Sequence, residues 1–82
     1  MAAVRGTINE IRVGGDYGKF EFYPNDAGPG EWYVIWGGGD PSRGELAWLQ
    51  LLSDGCANND WVWIDTPSAA SSQLSYVQLD RH

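Results

Sequence analysis

Cations, cysteine and histidine are scarce in this 82-residue chain. Five Lys and Arg side chains stand against eleven Asp and Glu, giving a net charge of −6. Because proteins hold nucleic acids and anionic membranes mainly through cations, this balance argues against both partners. A single cysteine, Cys56, cannot form a disulfide within the chain. No apolar run approaches the roughly 20 residues of a membrane-spanning helix, so we expect no membrane insertion.

Groups that could perform catalysis are equally few. The single histidine, His82, is the last residue, and chain ends are usually frayed, so Cys56 has no positioned base. Asp60 and Asp65 lie at the two opposite ends of one predicted strand. At 3.3–3.4 Å per residue they would be roughly 17 Å apart. That distance is too large for a shared acid–base site. We therefore expect a protein that is not an enzyme.

Two polar segments superficially resemble ligand loops. Residues 37–40 lack the Gly-Lys-Ser/Thr ending of a phosphate loop. Residues 54–60 carry calcium-type oxygen ligands but lack the EF-hand spacing and its distal glutamate. Both are predicted to be ordinary turns, and we expect no cofactor and no metal.

The length predicts one domain, residues 1–82, with limited capacity to bury a core. No leader pattern precedes the strand-like sequence that begins near Val4. Together with the missing disulfide, this favours a cytoplasmic protein. A leader removed from a longer precursor would instead make the protein secreted.

Apolar periodicity and turn residues predict five strands and one helix. A spacing of three between Ile8 and Ile11 breaks the alternation of the first strand and predicts a β-bulge there. Ser42 and Glu45 form a capping-box pattern at the helix start, and Gly55 is predicted to end the helix. The strands are predicted at 4–13, 19–23, 31–36, 60–65 and 73–80, and the helix at 42–54.

The helix pattern is apolar almost all the way round. Leu46, Leu49 and Leu52 form one stripe, and Trp48 lies on the side away from Leu46. Helices of this kind are covered on two sides. Trp48 is therefore predicted either to pack in the core or to contact a helix of a neighbouring copy.

Trp61 and Trp63 are the leading candidates for a functional surface. If Val62 and Ile64 face the core, both indoles lie on the opposite face of the fourth strand. Left in water, they would expose roughly 300–500 Å², as much as the largest apolar patch on a typical monomer. Cover by the chain's own loops or helix, a subunit interface and a sugar-stacking or other ligand face all remain open.

The third strand carries three further candidates. Trp32, Val34 and Trp36 are predicted to share one face, and Tyr33 and Ile35 the other. One of the two sets must be core. The set that contains both tryptophans is predicted to be the structural one.

The order strand, strand, strand, helix, strand, strand is that of an OB-like five-stranded barrel with one α-helix between strands three and four. The chain resembles the OB-fold B subunits of bacterial toxins, especially the subtilase-cytotoxin and pertussis-like group. The matching segments are Gly-Thr-Ile at 6–8, Ile-Arg-Val at 11–13, the helix 46–55 leading into Trp-Val-Trp-Ile at 61–64, and Ser-Tyr-Val-Gln-Leu at 75–79.

This resemblance implies a ring-shaped homo-oligomer, commonly a pentamer, with a glycan bound on the ring surface. Secreted members usually carry a leader and a disulfide, and this chain shows neither. No sugar-contacting residue of the family matches a position here. The expectation is a non-catalytic oligomeric binding module whose ligand is a carbohydrate. The alternative is a structural or protein-interaction subunit whose aromatic surface serves assembly only.

Overall fold

The computed structural model describes residues 3–68 and 71–80, which form five strands and one helix. The strands build one antiparallel sheet in the order β3-β2-β1-β4-β5. The predicted mainly β fold, with its helix between the third and fourth strands, is confirmed. The elements are β1 (Val4–Val13), β2 (Tyr17–Pro24), β3 (Glu31–Gly37), α1 (Arg43–Asn58), β4 (Trp61–Asp65) and β5 (Tyr76–Asp80).

The first strand contains the predicted β-bulge. Its register with β2 shifts between Ile8 and Glu10, so Asn9 is the extra residue. The extra residue restores the inward direction for Ile11, which packs against the core beside the buried Ile8. Both apolar positions thus serve one core despite their odd spacing.

A second bulge in β3 overturns one prediction. The register between β2 and β3 shifts so that Ile35 is an extra residue between Val34 and Trp36. Ile35 and Trp36 are consequently both buried, whereas Trp32 is exposed. The prediction that Trp32 and Trp36 share a face is wrong, because the bulge turns Trp36 into the core.

The core lies between the inner face of the sheet and α1. Aromatic side chains of β2 and β3 form its centre: Phe20 meets Phe22 edge to face at 6.2 Å, and Tyr33 stacks on Phe20 at 5.8 Å between ring centroids. Such ring pairs favour a fixed arrangement beyond the area they bury. The buried set comprises Ile8, Phe20, Phe22, Ile35, Trp36, Leu52, Val62, Ile64, Leu74 and Val77.

The helix begins as predicted and ends later than predicted. Ser42 Oγ accepts from the Glu45 backbone N–H at 3.1 Å, and Glu45 Oε1 accepts from the Ser42 N–H at 2.7 Å. Gly55 does not end the helix; Asn59 does, in the left-handed conformation at φ 54°. A Cβ on Gly55 would lie 2.6 Å from Val62 Cγ2. The glycine is therefore used for close packing of α1 on β4.

The edge strands β3 and β5 do not pair along their length. A single parallel bridge joins β3 to the segment before β5: the Val34 N–H donates to the Ser72 carbonyl at 2.8 Å, and the Leu74 N–H donates to the Val34 carbonyl at 3.2 Å. The last strand begins at Tyr76 instead of residue 73. The sheet is not closed by these contacts, and the predicted barrel is not confirmed.

Candidate functional site

The sheet has an outer face, turned away from α1 and the core, where aromatic and charged side chains alternate with the buried ones. Arg5 pairs with Trp63 across β1 and β4. At the other end of β1, Arg12 pairs with Lys19, and Lys19 lies beside Trp32. Residues paired across strands share a face, so the register places all of these side chains on the outer face.

One cluster, the β4 patch, consists of Arg5, Trp61, Trp63 and Asp80. The Arg5 guanidinium carbon lies 4.2 Å from the ring centroid of Trp61 and 5.9 Å from that of Trp63. Trp63 Nε1 donates a hydrogen bond to Asp80 Oδ2 at 3.3 Å. Both indoles are half-buried. The patch is therefore an aromatic platform in contact with one cation, Arg5, and one carboxylate, Asp80.

The two tryptophans face as the alternation predicts. Val62 and Ile64 are buried, and Trp61 and Trp63 lie on the opposite side of the same strand, turned outwards. The guanidinium on their rings contributes about 0.5–1 kcal/mol at an exposed position. Because Arg5 contacts both rings, it also restricts the motion of the platform.

A second cluster, the β3 patch, consists of Trp32, Arg12, Lys19 and Tyr17. Trp32 is 37% exposed. The Arg12 guanidinium carbon lies 4.8 Å from a Trp32 ring centroid, and Lys19 Nζ lies 5.3 Å from Trp32 and 5.6 Å from Tyr17. Arg12 Nε also donates to Glu10 Oε2 at 2.5 Å, and this hydrogen bond with its charge raises the pKa of Arg12.

Arg12 and Lys19 are direct cross-strand neighbours. Like charges in this position repel each other and destabilise a sheet. The negative face of the Trp32 ring and the Glu10 carboxylate offset the repulsion. Two of the chain's five cations are thus held side by side on one indole.

The remaining predicted candidates lie in or against the core. Trp36 is 4% exposed and packs over Gly18, where a Cβ would lie 2.3 Å from its ring. Its Nε1 has no hydrogen-bond partner among residues 3–68 and 71–80. Trp48 is half-buried and packs against the core, which is one of its two predicted roles. Trp36 is therefore no part of the outer face.

Tyr33 belongs to the inner side of β3, where it packs on Phe20 and Phe22. Its hydroxyl donates to Glu31 Oε2 at 2.8 Å. Burial raises the pKa of Tyr33 to about 12, with further contributions from the hydrogen bond and charge of Glu31. The phenol is a structural group at neutral pH.

The flank of α1 that points away from the core leaves Leu46 49% exposed, and the neighbouring Ala47 is exposed as well. On β5, Tyr76 is 43% exposed. Large apolar and aromatic side chains are therefore exposed on the helix flank and on β5. In the predicted stripe of Leu46, Leu49 and Leu52, Leu52 is buried and Leu49 is partly covered, whereas Leu46 is exposed.

Within the described ranges, no three His, Cys, Asp or Glu side chains are grouped so that they could hold a metal ion. Cys56 is a half-buried free thiol packed against the core. His82 lies outside the described residues. In the described part of the chain, α1 is neither long nor apolar enough to cross a bilayer.

Sequence reasoning identified the tryptophans of both patches and missed their charged partners. Arg5, Asp80, Arg12 and Lys19 are distant from those tryptophans in sequence and join them only through the strand register. Comparison of the chain with protein-family models, with curated proteins and with solved structures gave no match.

Proposed function

We propose that the chain is a non-catalytic binding module that takes a carbohydrate on the β4 patch and acts as a homo-oligomer. One observation carries the proposal: two adjacent, half-exposed indoles on one strand face are held by Arg5 and flanked by Asp80. An apolar surface with a few fixed polar groups is the general form of a small-ligand site.

A sugar ring suits this surface in two ways. Its C–H groups can lie on an indole, and Tyr and Trp rings offer such a surface at little cost in conformational freedom. Its hydroxyls can accept from the Arg5 guanidinium and donate to the Asp80 carboxylate. The net charge of −6 favours this ligand class over nucleic acid and over a membrane surface.

An OB-like closed barrel is the architecture that we propose for the complete fold. Its support is the bridge at Val34 together with a side-chain bond, in which Gln73 Nε2 donates to the Ile35 carbonyl at 3.1 Å. If residues 72–74 complete the barrel, the Val34 and Leu74 amide protons exchange as slowly as amides in the middle of β2. Exchange at the rate of an open loop would contradict closure.

Oligomer formation, as a pentameric ring like that of toxin B subunits, is supported by the exposed Leu46 flank and by the edge of β5, which begins after the bridge at Val34 and is left unpaired by it. An exposed strand edge readily pairs with another chain. A ring would present several copies of one weak site on the same side, which raises the overall affinity for a surface that carries many sugars.

The test is an array of mono- and disaccharides read with wild-type protein, Trp61→Ala and Trp63→Ala. Trp32→Ala is the matched control on the same face, because a glycan of this length does not reach from the β4 patch to the β3 patch. Loss of a central aromatic contact typically costs 2 kcal/mol or more, about 30-fold in affinity. We expect that loss at positions 61 and 63 for a short glycan. Unchanged binding in both variants would exclude the β4 patch as the site.

A structural subunit that binds no small ligand is the second candidate, and the exposure of Leu46 favours it. Native mass spectrometry of wild-type protein, Leu46→Gln and Trp61→Ala separates the two functions. If Trp61→Ala dissociates the oligomer and no glycan binds, the aromatic surface serves assembly. An intact oligomer with lost glycan binding supports the ligand role. A wild-type monomer at micromolar concentration would remove the oligomer from the proposal.

A further inference from the structure

We propose that the outer face binds an extended, neutral polysaccharide chain that contacts both the β4 patch and the β3 patch, and not a single terminal sugar. This inference rests on the proposed carbohydrate binding at the β4 patch. It adds the β3 patch as a second subsite and names the ligand class as a chain of several rings.

The spacing of the two patches is the first argument. Arg5 and Arg12 stand seven positions apart in β1, with one bulge residue between them. At 3.3–3.4 Å per residue their Cα atoms are roughly 20 Å apart. That span fits along a molecule whose longest dimension is 32 Å. A single sugar ring covers one patch only, whereas a chain of rings can reach the other.

The surface between the patches is polar. The exposed side chain of Asn9 donates through Nδ2 to Glu21 Oε1 at 2.8 Å. These groups keep free lone pairs or N–H groups with which sugar hydroxyls can bond. The outer face therefore has two aromatic ends and a hydrogen-bonding middle, an arrangement that matches a chain with ring faces and hydroxyls along its length.

The charges of the outer face argue for a neutral chain. Its strand residues include three cations and four carboxylates, so a polyanion that follows the face would be repelled at some positions and attracted at others. A hydroxyl donates and accepts, and it can bond with both kinds of group. The charged residues on this face are Arg5, Arg12, Lys19, Glu10, Glu21, Asp65 and Asp80.

The cations also explain how the β3 patch could act as a platform. Arg12 and Lys19 both lie on Trp32, so its indole is held in place before a ligand arrives, and a sugar ring stacks on it by displacing one of these two flexible side chains. A pre-positioned ring loses little conformational freedom on binding. Once one end of a chain is bound at the β4 patch, the other end is held near the β3 patch at high effective concentration. The two weak contacts then both contribute to the affinity for one glycan chain.

The experiment measures affinity as a function of chain length. A panel of neutral glycans, each printed as a disaccharide and as a hexasaccharide, is read with wild-type protein, Trp61→Ala and Trp32→Ala. Polygalacturonate oligomers and oligo(dT) are printed beside them. For the neutral series that binds, we expect the hexasaccharide to bind at least about 30-fold more tightly than the disaccharide.

The variants separate this inference from the proposed function. Trp32→Ala should remove the advantage of the hexasaccharide and leave disaccharide binding unchanged, whereas Trp61→Ala should weaken both. Equal affinity for short and long chains would contradict binding of one chain at both patches, and so would a Trp32→Ala variant that binds like wild type. Neither result would contradict carbohydrate binding at Trp61. Preference for polygalacturonate or oligo(dT) also overturns it. No binding to any glycan removes the proposed function and the inference together.

Discussion

The β4 patch and the β3 patch both place cations on tryptophan rings, but the ratio of cations to rings is reversed between them. In the first, one cation, Arg5, lies on two tryptophans; in the second, Arg12 and a lysine lie on one tryptophan, Trp32. The first is a broad aromatic surface, and the second is a small ring among charges. The comparison teaches that the arrangement of cations around a tryptophan determines how much apolar surface it offers to a ligand.

The β4 patch depends on a tight approach between strands behind it. A Cβ on Gly6, the neighbour of Arg5, would lie 2.3 Å from the Tyr23 carbonyl oxygen and 2.6 Å from the Phe22 ring. Gly6→Ala should therefore lower the free energy of unfolding by about 3 kcal/mol, since a backbone atom cannot yield. Urea denaturation measures the loss.

Gly15→Ala is the matched control, because nothing lies within 4 Å of a Cβ at that position. It should change the free energy of unfolding by no more than about 0.5 kcal/mol. Equal effects of the two substitutions would show that the strands are not held as closely as described.

Removing one cation from each patch should lower the free energy of unfolding by an intermediate amount. The two losses compare the patches directly. Arg5→Ala should destabilise the protein by about 0.5–1 kcal/mol, since two rings lose their cation. Arg12→Ala should cost less, because Lys19 remains on Trp32 and the repulsion between Arg12 and Lys19 disappears. Urea unfolding at low and high salt measures both variants, and a larger loss for Arg12→Ala would reverse the comparison.

A pH-dependent effect, absent at neutral pH, concerns the inner side of β3, behind Trp32. Burial raises the pKa of Tyr33 to about 12, whereas an unfolded tyrosine ionises near pH 10. The stability that the neutral phenol contributes is therefore complete below pH 10 and is lost as the pH rises towards 12. In the Tyr33→Phe variant, the free energy of unfolding should fall less as the pH rises from 10 towards 12.

Urea unfolding between pH 8 and pH 11.5 tests the effect, with Tyr76→Phe as the exposed control. The control should retain the wild-type pH dependence. A wild-type protein with constant stability across this range would contradict the burial of the Tyr33 phenol.

Much of the architecture was predictable because it depends on local signals. Apolar periodicity located five strands, the capping box of Ser42 located the helix start, and the odd spacing after Ile8 located the first bulge. The outward direction of Trp61 and Trp63 followed from the burial of their neighbours. Each of these conclusions needs only a few residues that are close in sequence.

The remainder depends on contacts that are distant in sequence. The bulge at Ile35 left no signal, because every candidate position in β3 is apolar. The stacking of Arg5 on Trp61 requires the register of β1 against β4. The sequence predicts a helix end at Gly55 that the structure does not show, since a glycine that ends a helix and one that packs against Val62 look alike in sequence.

Gly55 has a mechanical consequence. Because Gly55 has no Cβ, the backbone of α1 can approach Val62 closely. The opposite side of β4 carries Trp61 and Trp63. Only the thickness of a single strand thus separates the helix from the aromatic platform. A displacement of α1 at Gly55 would therefore act on β4 through the side chain of Val62, the residue between the two tryptophans.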